Sequence, residues 1–313
     1  MDNFLTNLVI FIVMGCGWYM KRRKKLTDAG LKELNTLLFS LLMPISFFKA
    51  GLGFNAEMLS GWRYTLVIYG SYSLTLLLAW LWSGWRKVDP RRRAVTALTA
   101  IRPNPIFIGL PLMSLWLGKA GTEAQLLFVA VCTPFFNTLP LLMSQIALSG
   151  KSDFRAACRA LVNTFKNPIL QAGLAGILLG YFNLTPHIPQ WAMRVVSVLG
   201  NCGNGLALLV IGASLAPERL KEDIKEGWMD LFIKLFLHPA VVLACFLIFP
   251  VPNPLVMKVA VVSSAVSPAF NCYVLARGMG MDGDYAAMLV ASSTLLFMAT
   301  ALFWMDVTVR IFG

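Results

Sequence analysis

Apolar residues run along this chain in blocks of about twenty, separated by short charged breaks, from Phe4 to the last residues. A helix needs about 20 apolar residues to cross roughly 30 Å of hydrocarbon. The pattern predicts spans near residues 3–20, 31–53, 62–83, 94–117, 123–148, 167–182, 191–214, 228–249, 254–276 and 285–309. Strands of a transmembrane barrel would alternate apolar and polar positions, and these blocks do not. Backbone groups in lipid must pair within their own segment, so the expected fold is an all-α polytopic membrane protein with ten transmembrane helices.

The composition, 58% hydrophobic and 13% charged, excludes a soluble enzyme or a nucleic-acid binder even though Lys and Arg number 27 against 15 Asp and Glu. The basic residues carry positional information instead. Lys21, Arg22, Arg23, Lys24, Lys25 and Lys32, then Arg86, Lys87, Arg91, Arg92 and Arg93, then Lys151, Arg155, Arg159 and Lys166, then Arg219, Lys221, Lys225 and Arg277 fall in alternate connections. That side is expected to be cytoplasmic, with both termini outside. Asp2 rather than a basic cluster precedes the first block, so it reads as a retained span. Trp62, Trp82, Trp85, Trp191, Trp228 and Trp304 lie near span ends, as interfacial anchors in contact with membrane lipid do.

The longest hydrophilic connection, 151–166, separates residues 1–150 from 167–313, five spans each. Trp18 follows Gly17 near the end of span one, and Tyr181 follows Gly180 near the end of span six, 163 residues later. The same offset carries Pro105 to Pro268. Two copies of an odd number of helices lie in opposite orientations, the inverted-repeat plan of secondary transporters.

Span four contains Arg102-Pro103-Asn104-Pro105 followed by Gly109 and Pro111. Two prolines in four residues remove two amide donors and push the residue before each toward extended backbone, so the helix must break. Arg102 lies about 12 Å past Ala94 at ~1.5 Å per residue, and irregular backbone at that depth is tolerated only inside protein or beside water. Ser267-Pro268, with Ser263, Ser264 and Asn271 nearby, predicts a matching break in span nine. Half-helix ends at such breaks suit an anion.

Pro103-Asn104-Pro105-Ile106-Phe107-Ile108-Gly109-Leu110-Pro111-Leu112 resembles the fourth-helix signature of the auxin efflux carrier family. Asn35 with Pro44, Ser46 and Phe47, the stretch from Lys234 to His238-Pro239, and Ser267-Pro268-Ala269-Phe270 continuing to Ser293-Thr294-Leu295 are similar to its second, eighth, ninth and tenth helices. The resemblance covers nearly the whole chain. It implies the fold of the bile-acid/sodium symporters, with helices one, two, six and seven as scaffold and three to five with eight to ten as a transport domain in which broken helices four and nine cross. It also implies alternating access by an elevator movement, a homodimer joined through the scaffold, and export or exchange of organic anions. The large central loop of the plant exporters is absent, and Arg102 and Pro105 depart from their pattern, which favours small carboxylates such as malonate or malate over indole acids.

An ionisable side chain inside a membrane costs about 2.5 to 3.5 kcal/mol on insertion scales, so each is a functional candidate. Arg102 either holds a carboxylate or reaches the surface beside Arg91 to Arg93. Lys234 and Lys258 are expected to snorkel to the interface, although the resemblance keeps Lys234 as a second substrate contact. Asn137 and Thr133 either line the cavity or bind neighbouring helices. Asp230, Asp282, Asp284, Asp306, Glu33 and Glu57 fall near span ends, so coupling to H+ or Na+ is left open. His238 reads as a packed helix residue.

The cysteines Cys16, Cys132, Cys158, Cys202, Cys245 and Cys272 lie singly, without a disulfide or metal-site spacing. Gly150-Lys151-Ser152 lacks the earlier glycine of a phosphate loop. The reading is therefore a secondary carrier of small organic anions, neither an enzyme nor a cofactor protein. A receptor or sensor on the same fold is the competing reading.

Overall fold

The computed structural model describes residues 3–52, 61–149, 168–213, 215, 218, 220–269 and 271–313. The connection 151–166, with Lys151 to Lys166, lies outside the described residues, as do Glu57, Arg219 and Phe270. Among the described residues the regular elements are all helices, with no β-strand: α1 (Asn3–Arg22), α2 (Asp28–Leu52), α3 (Gly61–Trp85), α4 (Pro90–Thr99), α5 (Pro105–Leu148), α6 (Pro168–Tyr181), α7 (Gln190–Ala213), α8 (Leu220–Ile248), α9 (Pro254–Ala265), α10 (Asn271–Gly278) and α11 (Gly283–Phe312). Six of them, α2, α3, α5, α7, α8 and α11, are long and apolar enough to cross a membrane. The chain is a multi-pass all-α membrane protein.

Local chemistry sets the ends of these helices. Asp89 and Asn253 cap α4 and α9, each accepting from the amide two residues on (Arg91 at 2.9 Å, Leu255 at 3.0 Å), and a proline supplies the first helical residue in both. Thr27 caps α2 and Asp282 caps α11 in the same manner. At Gly118, φ 63° and ψ −141° interrupt α5 where the sequence separates spans four and five. A straight α5 of 44 residues would run about 66 Å, twice the hydrocarbon thickness.

Among the described residues wide π turns occur at Leu38–Leu42, Pro105–Gly109 and Ile233–Leu237, and each ends two residues before a proline: Pro44, Pro111 and Pro239. A proline inside a helix removes one donor and drives its ring against the carbonyl four residues back. Widening the preceding turn lets each helix continue past the ring. Trp304 completes the repair at Pro239, its indole N–H donating at 2.8 Å to the Leu235 carbonyl that Pro239 cannot serve.

The chain divides into two interleaved units, residues 1–59, 105–130 and 164–215 in the first and 60–104, 131–163 and 216–313 in the second. In the first, α1 packs on α7 and α2 on α6 through glycines. A methyl at Gly17 would meet the Leu209 carbonyl, and one at Gly212 the Met14 backbone. A methyl at Gly51 would stand 2.6 Å from the Ile177 nitrogen, and one at Gly180 2.8 Å from the Gly51 carbonyl. Hydrogen bonds from Ser46 to the Gly200 carbonyl (2.6 Å) and from Lys49 to Asn201 (3.0 Å) add to this contact.

In the second unit α3, α4 and the later part of α5 join α8 to α11. Tyr69 donates to the Val131 carbonyl at 3.0 Å, and Ser144 reaches the Ala94 carbonyl at 2.7 Å. Near the start of α4, Arg92 pairs with Glu226 (2.5 Å) and Asp282 (3.1 Å) and lies over the Tyr285 ring at 4.7 Å. Partial burial works against the Arg92 charge, but both carboxylates outweigh it and hold the guanidinium above its ordinary range.

Candidate anion site

The proline pairs interrupt both helices as the sequence requires: α4 stops at Thr99 and α9 at Ala265. In the second unit the two extended stretches that follow run antiparallel. Pro103 bridges Pro268, and the Asn104 amide donates to the Ser267 carbonyl at 2.8 Å. The bridge pairs Pro268 with Pro103, two residues before Pro105, the counterpart of Pro268 by the 163-residue offset. Pro105 follows the bridge, opens a π turn in the first unit, and has its carbonyl bound by Gln125 Nε2 at 2.8 Å. Gly109 closes that turn and is buried.

Arg102, immediately before the bridge, is 4% exposed. Its guanidinium carbon lies 6.0 Å from the Phe136 ring, and neither Nε nor Nη1 has a hydrogen-bond partner. Of the two sequence alternatives, the structure has the buried one: the side chain does not reach the surface beside Arg91 to Arg93. A guanidinium that lacks acceptors inside protein is an electrostatic deficit that a carboxylate would fill.

Lys234 does not snorkel, in contrast to the sequence expectation. It is 2% exposed, and its Nζ donates to the Ser264 carbonyl at 2.9 Å. Ser264 stands four residues before Pro268, so its carbonyl is the one that Pro268 leaves without an amide donor, at the negative end of α9. The lysine turns inward to serve that carbonyl. Lys258, by contrast, meets the Gly313 carbonyl in an exposed contact.

Ser267 is fully buried, and the Thr294 hydroxyl donates to its Oγ at 2.9 Å. Asn104 is buried beside it. Asn137, on the later part of α5, is half-buried and engaged. Asn271 begins α10, and its side chain lies outside the described ones. The structure thus joins Arg102, Pro103, Asn104, Ser267 and Pro268 around one bridge and ties Lys234 to it through Ser264, while Pro105 and Gly109 belong to the first unit.

Sequence reasoning missed the acceptor of Lys234 and the donor to Leu235. Both could have been found by counting four residues back from Pro268 and Pro239. It also missed Cys272, a buried thiol within electrostatic reach of both Arg102 and Lys234. No local sequence signal marks it.

A family model described as "Membrane transport protein" matches residues 4–305. The "Uncharacterized transporter YfdV" of Escherichia coli (strain K12) is 24% identical over 316 residues, covering 96% of each chain. The "Putative malonate transporter" of Rhizobium meliloti (strain 1021) is 24% identical over 303 residues, covering 95% of this chain and 93% of its own. An "Uncharacterized transporter" of Methanothermobacter thermautotrophicus is 22% identical over 310 residues, covering 97% of this chain and 98% of its own. With nearly its whole length matched, the chain belongs to the membrane transport protein family, that of the auxin efflux carriers.

Proposed function

We propose that the protein is a secondary transporter of a small organic anion, a carboxylate of the malonate or malate class, and that Arg102 and Asn104 receive its carboxylate. The observation that carries this reading is the Arg102 guanidinium, buried at a bridged helix break with two nitrogens lacking acceptors. Burying a cation without a partner is costly, and a bound carboxylate offsets that cost bidentately. Asn104 and Ser267 flank the anion at the bridge, and Asn271, the first residue of α10, is kept as a candidate on the sequence alone. The relative named as a malonate transporter supports the choice of class.

The wider plan is ten spans in two inverted halves, in a bacterial inner membrane with both termini outside, working as a homodimer by an elevator movement. Repeat features support it. The Asp89-Pro90 and Asn253-Pro254 starts of α4 and α9 stand 164 residues apart, near the 163 of Gly17 and Gly180, each of which lies in a close helix contact of the first unit. Pro103 and Pro268, 165 apart, meet each other, as equivalent residues on a twofold axis would.

The test is malonate binding to the purified protein by calorimetry. Hydrogen bonds to a charged group are worth about 1.5 to 3 kcal/mol, so Arg102→Gln should weaken binding roughly ten- to a hundredfold, with Arg102→Lys between. Malonate bound equally tightly by Arg102→Gln and the parent removes Arg102 from the site.

A further inference from the structure

The sequence placed Asp230 at a span end because the charged run before it, Lys221 to Glu226, looked like a connection. The helical stretch α8 begins earlier, at Leu220, but Gly227 (φ −112°, ψ 16°) kinks it close to the expected span start at 228; Asp230 lies three residues beyond the kink and is 8% exposed. Asp230, Lys234 and His238 fall at successive four-residue steps, all buried, and Asp223, before the kink, is buried too. A row of buried titratable side chains along a membrane helix is what proton pathways are made of.

Within that row two buried atoms lack a partner, His238 Nε2 and one oxygen of Asp230. The Asp223 carboxylate accepts from Ser292 at 2.7 Å, Lys234 donates to Ser264, and His238 Nδ1 lies 3.2 Å from Thr75 Oγ1. Asp230 accepts from the Tyr285 hydroxyl on Oδ2 at 2.5 Å, but its Oδ1 is buried without a partner. The Thr96 hydroxyl of α4 lies beside the carboxyl, near enough to interact with it but short of full hydrogen-bond geometry. The charged and titratable groups around Asp230 are Arg92 on α4, Tyr285 on α11 with Asp282 at its cap, and Glu226 and Lys234 on α8.

We propose that Asp230 is a proton-binding site of this carrier, built so that its carboxyl is accommodated both ionised and protonated. When it is ionised, Tyr285 donates to Oδ2, the Thr96 hydroxyl turns to donate to Oδ1, and Arg92 balances the charge. When it takes a proton from water, Oδ1–H donates to the Thr96 oxygen, which needs no other change, and Arg92 remains neutralised by Glu226 and Asp282. A threonine hydroxyl serves either role because it is both donor and acceptor. The proton bound on one side is released on the other, so solute movement is coupled to the proton gradient. This rests on the chain being a transporter but not on which anion it carries.

The experiment is infrared difference titration of the purified, full-length protein, joined to malonate uptake by liposomes under an imposed pH gradient. A carboxylic-acid carbonyl band should grow on acidification and vanish in Asp230→Asn. Tyr285→Phe removes a donor to the ionised form, so its band should titrate at higher pH, by about one unit for a tenfold change in proton affinity. Gradient-driven malonate accumulation should change about tenfold per pH unit for one coupled proton and lose that response in Asp230→Asn. If the band is unchanged by Asp230→Asn, or if no midpoint shift appears in Tyr285→Phe, Asp230 is not the proton site. Malonate uptake indifferent to the gradient would overturn the coupling. Absence of malonate uptake altogether would count against the substrate class alone, with the titration still deciding on Asp230.

Discussion

In the first unit the helices meet where side chains are missing, whereas in the second they meet through buried polar groups. Gly17 and Gly212 bring α1 and α7 to backbone contact, and Gly51 and Gly180 do so for α2 and α6. Small residues at such contacts maximise dispersion between helices where lipid offers no hydrophobic drive for association. The second unit instead buries Arg102, Asp223, Asp230, Lys234 and His238 and interrupts two of its helices. A unit packed backbone to backbone has little freedom to rearrange. One rich in buried polar groups carries chemistry at a standing cost in desolvation.

The largest expected effect breaks the first side of this comparison. Gly212→Ala places a methyl against the Met14 backbone, which cannot yield as a side chain could. It should destabilise the protein by about 3 kcal/mol or more, at the top of the range for overpacking. Gly15, on the same α1 helix, has open space around it, so Gly15→Ala should be neutral or gain up to about 1 kcal/mol. Thermal unfolding in detergent distinguishes the two. Equal melting temperatures for both variants would show that glycine packing does not hold this unit.

The second unit depends on side chains that repair proline damage, and Trp304 offers the next largest effect. Trp304→Phe keeps an aromatic ring but withdraws the donor from the Leu235 carbonyl, a loss of about 1 to 3 kcal/mol for a buried group left unsatisfied. The cost should shrink in the Pro239→Ala background, where a backbone N–H returns at position 239. A double-mutant cycle on unfolding free energies measures the coupling. Additive losses would mean that the indole serves packing alone.

Where one apolar block is one helix its ends were legible, because hydrocarbon thickness fixes block length: α3, predicted at 62–83, runs Gly61–Trp85. The breaks were legible because Pro103, Pro105 and Pro268 cannot donate. Side-chain direction was not. Hydropathy places Lys234 in a span but does not say whether it turns outward to water or inward to the carbonyl that Pro268 frees. Nor could a window average show that the charged stretch before Asp230 is already helical up to the kink at Gly227, because a charged helix reads as a connection. That Pro268 meets Pro103 was not legible, because repeat spacing says nothing of which residues touch where the two broken helices cross.

The smallest expected effect lies at the bridge itself. Thr294 donates to Ser267 Oγ and also lies 2.7 Å from the Val290 carbonyl of its own helix. A single hydroxyl hydrogen cannot serve both fully, so its net contribution to stability falls within the ordinary range of about 0.5 to 1.5 kcal/mol. Thr294→Val retains the shape and removes that contribution. The Ser267 backbone would stay in place, because its carbonyl still receives the Asn104 amide at 2.8 Å. The Ser267 hydroxyl, however, would lose the neighbour that fixes its rotamer beside the proposed anion. Thr294→Val should therefore cost about 1 kcal/mol in unfolding and weaken malonate binding several-fold, while Arg102→Gln acts on binding far more than on stability. Binding and unfolding measured on both variants give the ratio of the two effects. An unchanged malonate affinity in Thr294→Val would confine Thr294 to helix packing and leave Arg102 and Asn104 to hold the anion.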